Sequence, residues 1–253
     1  MPSTGSALHS IAIIPARYAS TRFPGKPLAD LAGRPMIEHV YRRAAASRAV
    51  TSVIVATDDE RIRHAVTAFG GDARLTKSTH RTGTERLAEL AVDLDCDVIV
   101  NVQGDEPLLE PGMIDEVVAA LDADRDVMMA TLRRPIQDAA TMASPHVTKV
   151  VVDRRDFALY FSRAPIPFTR DGAEGVAAPC KHIGLYAYRR AFLLTLAALP
   201  PTPLERAESL EQLRALEHGY RIKTPETIHD SIGVDTPDDL ERVRRLLATG
   251  AHP

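Results

Sequence analysis

Three cations sit close together in "IAIIPARYASTRFPGKPLADLAGRPM" (11–36): Arg17, Arg22 and Lys26. They follow an apolar run and precede any helical period, on a backbone restricted by Pro24, Gly25 and Pro27. Guanidinium forks chelate phosphate oxygens and lysine adds a compact charge, so a rigid loop of this make-up suits a polyphosphate. It is not a Walker loop, because Gly25-Lys26 is followed by Pro27 and no helix begins there. The competing reading is a solvated loop whose cations only aid solubility; the density of rigidifying residues argues against it.

A second chemical stretch is "NVQGDEPLLEP" (101–111), with Asp105 and Glu106 directly after an apolar run. Alone it reads as an ordinary polar turn. Opposite a cationic phosphate loop, a carboxylate there makes sense if a metal bridges them. Mg2+ takes one or two carboxylates together with phosphate oxygens and water. Asp235 in "IGVDTPDDL" is a further candidate, read equally well as a helix N-cap or as a second metal ligand. Gly83 and Thr84 in "STHRTGTERLAE" open a helix, whose exposed N–H groups suit an anion or a base edge, although capping alone explains them too. His182 has no acidic partner at a telling spacing, and neither a Ser-His-Asp nor a Cys-His arrangement is present.

The elements that must hold these residues are legible. "IAII" (11–14), "SVIVA" (52–56) and "DVIVNV" (97–102) read as buried parallel strands. Between them, "MIEHVYRRAAAS" puts Ile37, Val40, Tyr41 and Ala44 on one helical face, and "GTERLAELAVDL" does the same with Leu87, Leu90, Ala91 and Leu94. Strand and helix in alternation predict an α/β fold, a doubly wound, mostly parallel Rossmann-like sheet, with ligands beyond the carboxyl ends of its strands. From Val147 the texture changes. "VTKVVVD", "FALYFSR" and "HIGLYAYRR" predict a smaller antiparallel lobe, and a helical pattern returns at 205–219 and 236–248. The glycine- and proline-rich stretch 163–180 reads as a surface loop. The expected division is a leader over 1–10, a nucleotide-binding region over 11–146, a second lobe over 147–225, and a C-terminal segment over 226–253 that returns to the main sheet.

Composition limits the partners. With 31 basic and 34 acidic residues the net charge is −3, so no global cationic field points to nucleic acid and any anion site must be local. Residues 1–10 have no cationic start, and the apolar run after them is broken by Pro15, which excludes a signal peptide or membrane span there. Two cysteines, Cys96 and Cys180, lie far apart with no metal spacing and fit a reducing compartment. The expectation is a cytoplasmic protein.

Taken together, "IIPARYASTRFPGKPL", "VATDD", "HRTGTERLAE", "NVQGDEPL", "ALYFSRAPIP", "KHIGLYAYR", "PLERAESLEQLRALEHG" and "GVDTPDDLERVR" span almost the whole chain. This set resembles the 3-deoxy-manno-octulosonate (Kdo) cytidylyltransferases, also called CMP-Kdo synthetases. Other sugar nucleotidyltransferases share the first and fourth segments loosely; "YFSR" and "SLEQLR" belong more narrowly to the Kdo branch. The leader and the loop at 167–180 depart from the family pattern. The resemblance implies that CTP and Kdo give CMP-Kdo and pyrophosphate with Mg2+, for lipopolysaccharide assembly, and it implies a homodimer. It assigns Arg17, Arg22 and Lys26 to the CTP phosphates. Pro15, Ala16, Thr21, Gln103 and the Gly83–Arg86 region (Gly83, Thr84 and Arg86) fall to the nucleotide pocket, and Asp105 and Asp235 to the metal. Gln103, Arg163, His182, Tyr186, Glu211 and Gln212 fall to the sugar-acid site, with Arg163 as the carboxylate partner. Catalysis then rests on Lys26, Arg17, Asp105 and Asp235. The rivals are a cytidylyltransferase for another acid sugar such as a sialic acid, a glycosyltransferase of similar architecture, and a non-catalytic nucleotide-binding regulator. The string closest to a glycosyltransferase DxD motif, "DDE" at 58–60, lacks that spacing.

Overall fold

The computed structural model describes residues 8–19, 23–170 and 178–249. The three expected strands are β1 (Ser10–Ala16), then, as the fourth and sixth strands of the chain, β4 (Ser52–Thr57) and β6 (Val98–Asn101). β1 lies between the other two and is parallel to both. β2 (Asp30–Leu31) and β3 (Arg34–Pro35) form a small hairpin of their own, and β5 (Asp72–Leu75) extends the parallel set beyond β4. The helices between them are α1 (Met36–Ala45), α2 (Glu60–Ala68) and α3 (Gly83–Ala91).

The second half of the chain completes the same sheet. After α4 (Pro111–Asp122), β7 (Met129–Pro135) and α5 (Ala139–Ala143) come β8 (Lys149–Val152), β9 (Ala158–Ser162) and the ten-residue β10 (Cys180–Arg189). β10 runs antiparallel between β6 and β7, and its first residues also pair with β8 of the β8–β9 hairpin. The antiparallel region is therefore continuous with the parallel sheet through β10. Next follow α6 (Arg190–Ala198), α7 (Pro203–Glu208) and α8 (Gln212–Glu217). β11 (Ile222–Lys223) then joins the sheet edge beside β7, and α9 (Pro237–Thr249) closes the chain. Ser10 already belongs to β1, and His9 donates its N–H to Asp97, so the strand begins inside the expected leader. Residues 171–177 of the expected surface loop lie outside the described residues.

Strand alternation sorts the core into two layers. Ala12, Ile14 and Ala16 of β1 face α1, α2 and α4, while Ile11 and Ile13 face α3, α6 and α8. A third, smaller core decides the site. Leu31 of the hairpin, Met36 of α1, Leu108, and Val234, Leu240 and Val243 from the chain end pack together. Burying a side chain such as Val234 stabilises by about 1.5–3 kcal/mol, enough to hold the C-terminal segment against the loop after β6.

The helical pattern at 205–219 divides into α7 and α8, with Ser209 left-handed at φ 51 between them. Arg163 explains the break: its Nε donates to the Glu208 carbonyl at 2.8 Å and its Nη2 to the Ser209 carbonyl at 3.4 Å. A guanidinium on the carbonyls at the end of α7 stabilises the stop and lets the chain turn before Glu211.

Candidate active site

The site lies where β1 and β6 end side by side. β1 contributes Pro15 and Ala16, followed by Arg17; β6 runs on into Gln103, Gly104 and Asp105. The close approach of these two strand ends requires glycine: a Cβ on Gly104 would stand 2.8 Å from the Pro15 carbonyl oxygen.

Two cavities open here and share the Pro15–Gln103 wall. The first, about 410 Å³, is lined by charged residues: Arg17, Lys26, Asp105 and Asp235 around Ala16 and Gly104. Lys26 is held at its centre, donating to Asp105 Oδ2 at 2.7 Å, to the Val234 carbonyl at 2.7 Å and to Asp235 Oδ1 at 3.5 Å. The loop that carries it folds back on itself, Gly25 N–H donating to the Tyr18 carbonyl at 2.9 Å, and Gly25 takes a φ of 71 that favours glycine. The Arg61 guanidinium lies over the Tyr18 ring, 3.3 Å from its centroid, with both Asp59 oxygens holding it in place. Thr21 and Arg22 lie outside the described residues.

The second cavity, about 200 Å³, is lined by amide, hydroxyl and acid groups on a partly apolar floor: Thr84, Asn101, Tyr186, Tyr188, Glu211 and Gln212, with Gly83 at its edge. Gln103 belongs to both because its side-chain amide donates to the Gly184 carbonyl at 2.9 Å. That carbonyl is available because β10 bulges: Ile183 pairs with Leu132 and Tyr186 with Thr131, leaving two residues of β10 outside the ladder. Burial pushes both phenols up, so Tyr186 and Tyr188 remain protonated, and it raises the Glu211 carboxyl as well.

Not every residue expected at the site reaches it. Arg86 is 1% exposed and turns away from both cavities, bonding Thr76 and pairing with Asp58 at 3.2 Å. It ties α3 to the loop after β4. Arg163 lines neither cavity, since its fork is occupied by backbone carbonyls, those of Glu208 and Ser209 and that of Pro145 at 3.1 Å. His182 stands one layer behind the second cavity, its ring 5.4 Å from that of Tyr186 and 5.0 Å from that of Phe161. Its Nε2 is 2.9 Å from Thr131 Oγ1, and burial pushes its pKa down to about 3. The neutral ring therefore buttresses Tyr186. Glu106, next to Asp105, points elsewhere: burial pushes it up to about 7, and Ser231 Oγ donates to it at 2.6 Å.

Four residues of the second cavity escaped the reading of the sequence: Asn101, Tyr188, Met129 and Leu196. Asn101 carried a signal, as the one polar residue inside "VIVNV"; Tyr188 is two residues from Tyr186 and so shares its face of β10. Met129 carried none.

The cytidylyltransferase family profile matches residues 11–224, most of the chain and all of both cavities except Asp235. The chain belongs to the cytidylyltransferase family. Within it, the chain groups with the 3-deoxy-manno-octulosonate cytidylyltransferases. It is 57% identical over 246 residues to the protein of that name from Geobacter metallireducens, covering 94% of this chain and 97% of the relative. To that from Geotalea uraniireducens it is 58% identical over 245 residues, covering 93% and 98%. Among solved structures, CMP:2-keto-3-deoxy-manno-octonic acid synthetase complexed with CTP superimposes with a TM-score of 0.91 at 46% identity, over 96% of this chain and 99% of the other. This cytidylyltransferase chain thus shares the mostly parallel α/β sheet of that structure.

The donor set also fits a divalent cation. Asp105 and Asp235 converge on a single point, at present held by the Lys26 ammonium. Among the described residues no group of three or more acidic, histidine or cysteine side chains is assembled for a metal. Two carboxylates beside a charged cavity are the set that Mg2+ uses when phosphate oxygens and water complete its shell.

Proposed function

We infer that the chain joins CTP to 3-deoxy-manno-octulosonate, releasing pyrophosphate and giving CMP-Kdo for lipopolysaccharide assembly. One observation carries the reading: a charged cavity and a hydroxyl- and amide-lined cavity meet at a single wall, formed by Pro15 and Gln103. Two substrates held in these cavities present their reacting ends to each other there. The triphosphate belongs in the first, against Arg17 and Lys26, with Arg22 from the same loop as a third cation; Gly83 and Thr84 at the head of α3 and Ala16 edge the nucleotide. The sugar acid belongs in the second, against Gln103, Tyr186, Glu211 and Gln212, with His182 and Arg163 supporting from behind.

Transfer of this kind needs positioning and charge neutralisation rather than covalent work by the protein. The anomeric hydroxyl attacks the α-phosphorus in line; the bond to the β-phosphate oxygen breaks, and the electron pair leaves with pyrophosphate. Lys26 and Arg17 neutralise the charge that grows on that leaving group. Gln103, fixed through Gly184, orients both substrates at the shared wall. Asp105 and Asp235 would hold Mg2+, which when bound supplies positive charge to the α-phosphate and acidity to the attacking hydroxyl. Lys26 then exchanges its carboxylate partners for phosphate oxygens.

The free thiols of Cys96 and Cys180 suit a cytoplasmic setting, and among the described residues no helix is long and apolar enough to cross a membrane. Exposed Leu159 on β9 and Phe168 in the loop that follows support a homodimer, which sedimentation measures directly. The deciding experiment is pyrophosphate release from CTP and Mg2+ with a panel of acid sugars. Release with Kdo supports the reading. Release with a sialic acid instead moves the chain to another acid sugar, and release with none removes the catalytic reading.

A further inference from the structure

Asn101 is the last residue of β6, 5% exposed, and its Oδ1 has no hydrogen-bond partner. Buried side-chain acceptors without partners are uncommon because each loses its water and gains nothing. Four buried side-chain atoms without a hydrogen bond occur among the described residues, and two of them, Asn101 Oδ1 and Glu211 Oε1, belong to residues lining the same 200 Å³ cavity, the second with the Arg214 guanidinium 3.9 Å away. The pairing across the sheet sets how Asn101 faces it. Tyr186 lies directly opposite Asn101 in the antiparallel ladder and Tyr188 is its diagonal neighbour, with the Tyr188 hydroxyl within hydrogen-bonding reach of Asn101 and Thr84. The Oδ1 end of the carboxamide is therefore left for whatever enters the cavity.

We propose that Asn101 is a specificity-determining residue of this site, its free carboxamide end hydrogen-bonding a non-reacting hydroxyl of the sugar acid. The assignment rests on the sugar occupying the second cavity, as proposed above. The hydroxyl is not the anomeric one. Asn101 ends β6 and Gln103 follows two residues on, so at extended spacing it stands roughly 6–7 Å back from the Gln103 end of the wall where the new bond forms. A hydroxyl serves whichever end of the amide is presented, since it both donates and accepts. An orphaned acceptor also weakens the free protein, so removing it spares the fold, whereas a structural asparagine would cost stability when replaced.

The test is Asn101→Leu, close in size and without polar atoms, assayed by pyrophosphate release with CTP and Kdo. We expect KM for Kdo to rise at least about tenfold, KM for CTP to stay within about twofold, and the melting temperature to hold or rise. Kdo analogues that each lack one hydroxyl give the second measurement. One of them should lose activity with the wild-type enzyme but lose nothing further with Asn101→Leu, which identifies the hydroxyl read. An unchanged KM for Kdo, or an analogue series with the same losses in both proteins, overturns the assignment. Glu211→Gln, run in parallel, separates the levels. If it raises KM for Kdo while Asn101→Leu does not, only the role of Asn101 falls. If neither does, the sugar does not bind in this cavity and the wider reading falls with it. Should the leucine variant not fold, Asn101→Ser, smaller and still polar, should raise KM for Kdo by a lesser factor, and an unchanged KM again overturns the assignment.

Discussion

The Lys26 ammonium occupies the point on which the Asp105 and Asp235 carboxylates converge, 2.7 Å from the first and 3.5 Å from the second. The three residues come from a loop after β1, a loop after β6 and the turn before α9, and the packing of Val234 brings them together. In the proposed function this lysine serves two partners in turn, the carboxylates in the free protein and the triphosphate in the complex.

Replacing it separates those roles. Lys26→Ala should lower kcat by about a hundredfold or more, as expected when about 3 kcal/mol of preorganised charge stabilisation is lost. The fold should survive, because the ammonium is held by side chains and one carbonyl rather than by the core. With the Lys26 ammonium removed from between them, the two carboxylates repel each other more, so added Mg2+ should raise the melting temperature more in the variant than in the wild type. Pyrophosphate release and thermal unfolding with and without Mg2+ check both halves; unchanged turnover in a folded variant sinks the assignment.

The contact of Gly104 with β1 predicts a loss of precision. A methyl group there would press on the Pro15 carbonyl at 2.8 Å and on Ile14 Cγ2 at 3.4 Å, and backbone cannot yield as a side-chain tip does. Gly104→Ala should cost about 1–3 kcal/mol in urea unfolding and, by displacing Gln103 and Asp105, reduce kcat more than it raises KM for CTP. Wild-type stability and turnover would show that the strand ends tolerate the added volume.

Arg86 gives the opposite pattern. Its guanidinium is buried against Thr76 and pairs with Asp58, so Arg86→Met leaves a half-buried carboxylate without its partner. Stability should fall by about 3 kcal/mol. KM for CTP should change by less than about threefold in protein that remains folded, since the side chain does not reach the cavity. A large rise in KM at unchanged stability would return Arg86 to the nucleotide site.

His182 makes stability depend on acid pH. Its pKa is pushed from 6.5 down to about 3 in the fold, so between those values the unfolded chain binds the proton and the folded one does not. Stability from this residue is complete above about pH 6.5 and is lost as pH falls toward 3, at no more than about 1.4 kcal/mol per unit. Glu106, raised from 4.5 to about 7, acts with the opposite sign, its contribution fading as pH rises through that window. The difference between wild type and His182→Gln cancels the Glu106 contribution. Urea unfolding across the acid range should show the wild type's advantage shrinking as pH falls below 6.5; a constant difference would mean that the ring titrates normally.

Part of the site was legible in local sequence. The cation loop announces itself through residue types after a strand. Asp105 alone reads as a polar turn, Asp235 equally as a helix cap and the head of α3 as capping, so their assignment to the candidate site came from the resemblance. Arg86 and Arg163 could not be read this way. Both are arginines in segments rich in site residues, and only the carbonyls and carboxylates brought near them by folding turn them inward as braces. Asn101 failed for the complementary reason: inside an apolar strand it reads as an interruption, and nothing local shows that its acceptor is left open.

The sequence by itself determined the three parallel strands β1, β4 and β6, the buried faces of α1 and α3 and the loops in which chemistry is possible, because period and turn chemistry act over a few residues. Only the tertiary structure decided that β10 runs antiparallel between β6 and β7, that its bulge fixes Gln103, and that Asp235 meets Lys26 across 209 positions of chain. Those are choices among partners. They depend on which apolar faces pack together and which polar groups find a mate once buried, and burial is a property of the whole fold rather than of any one segment.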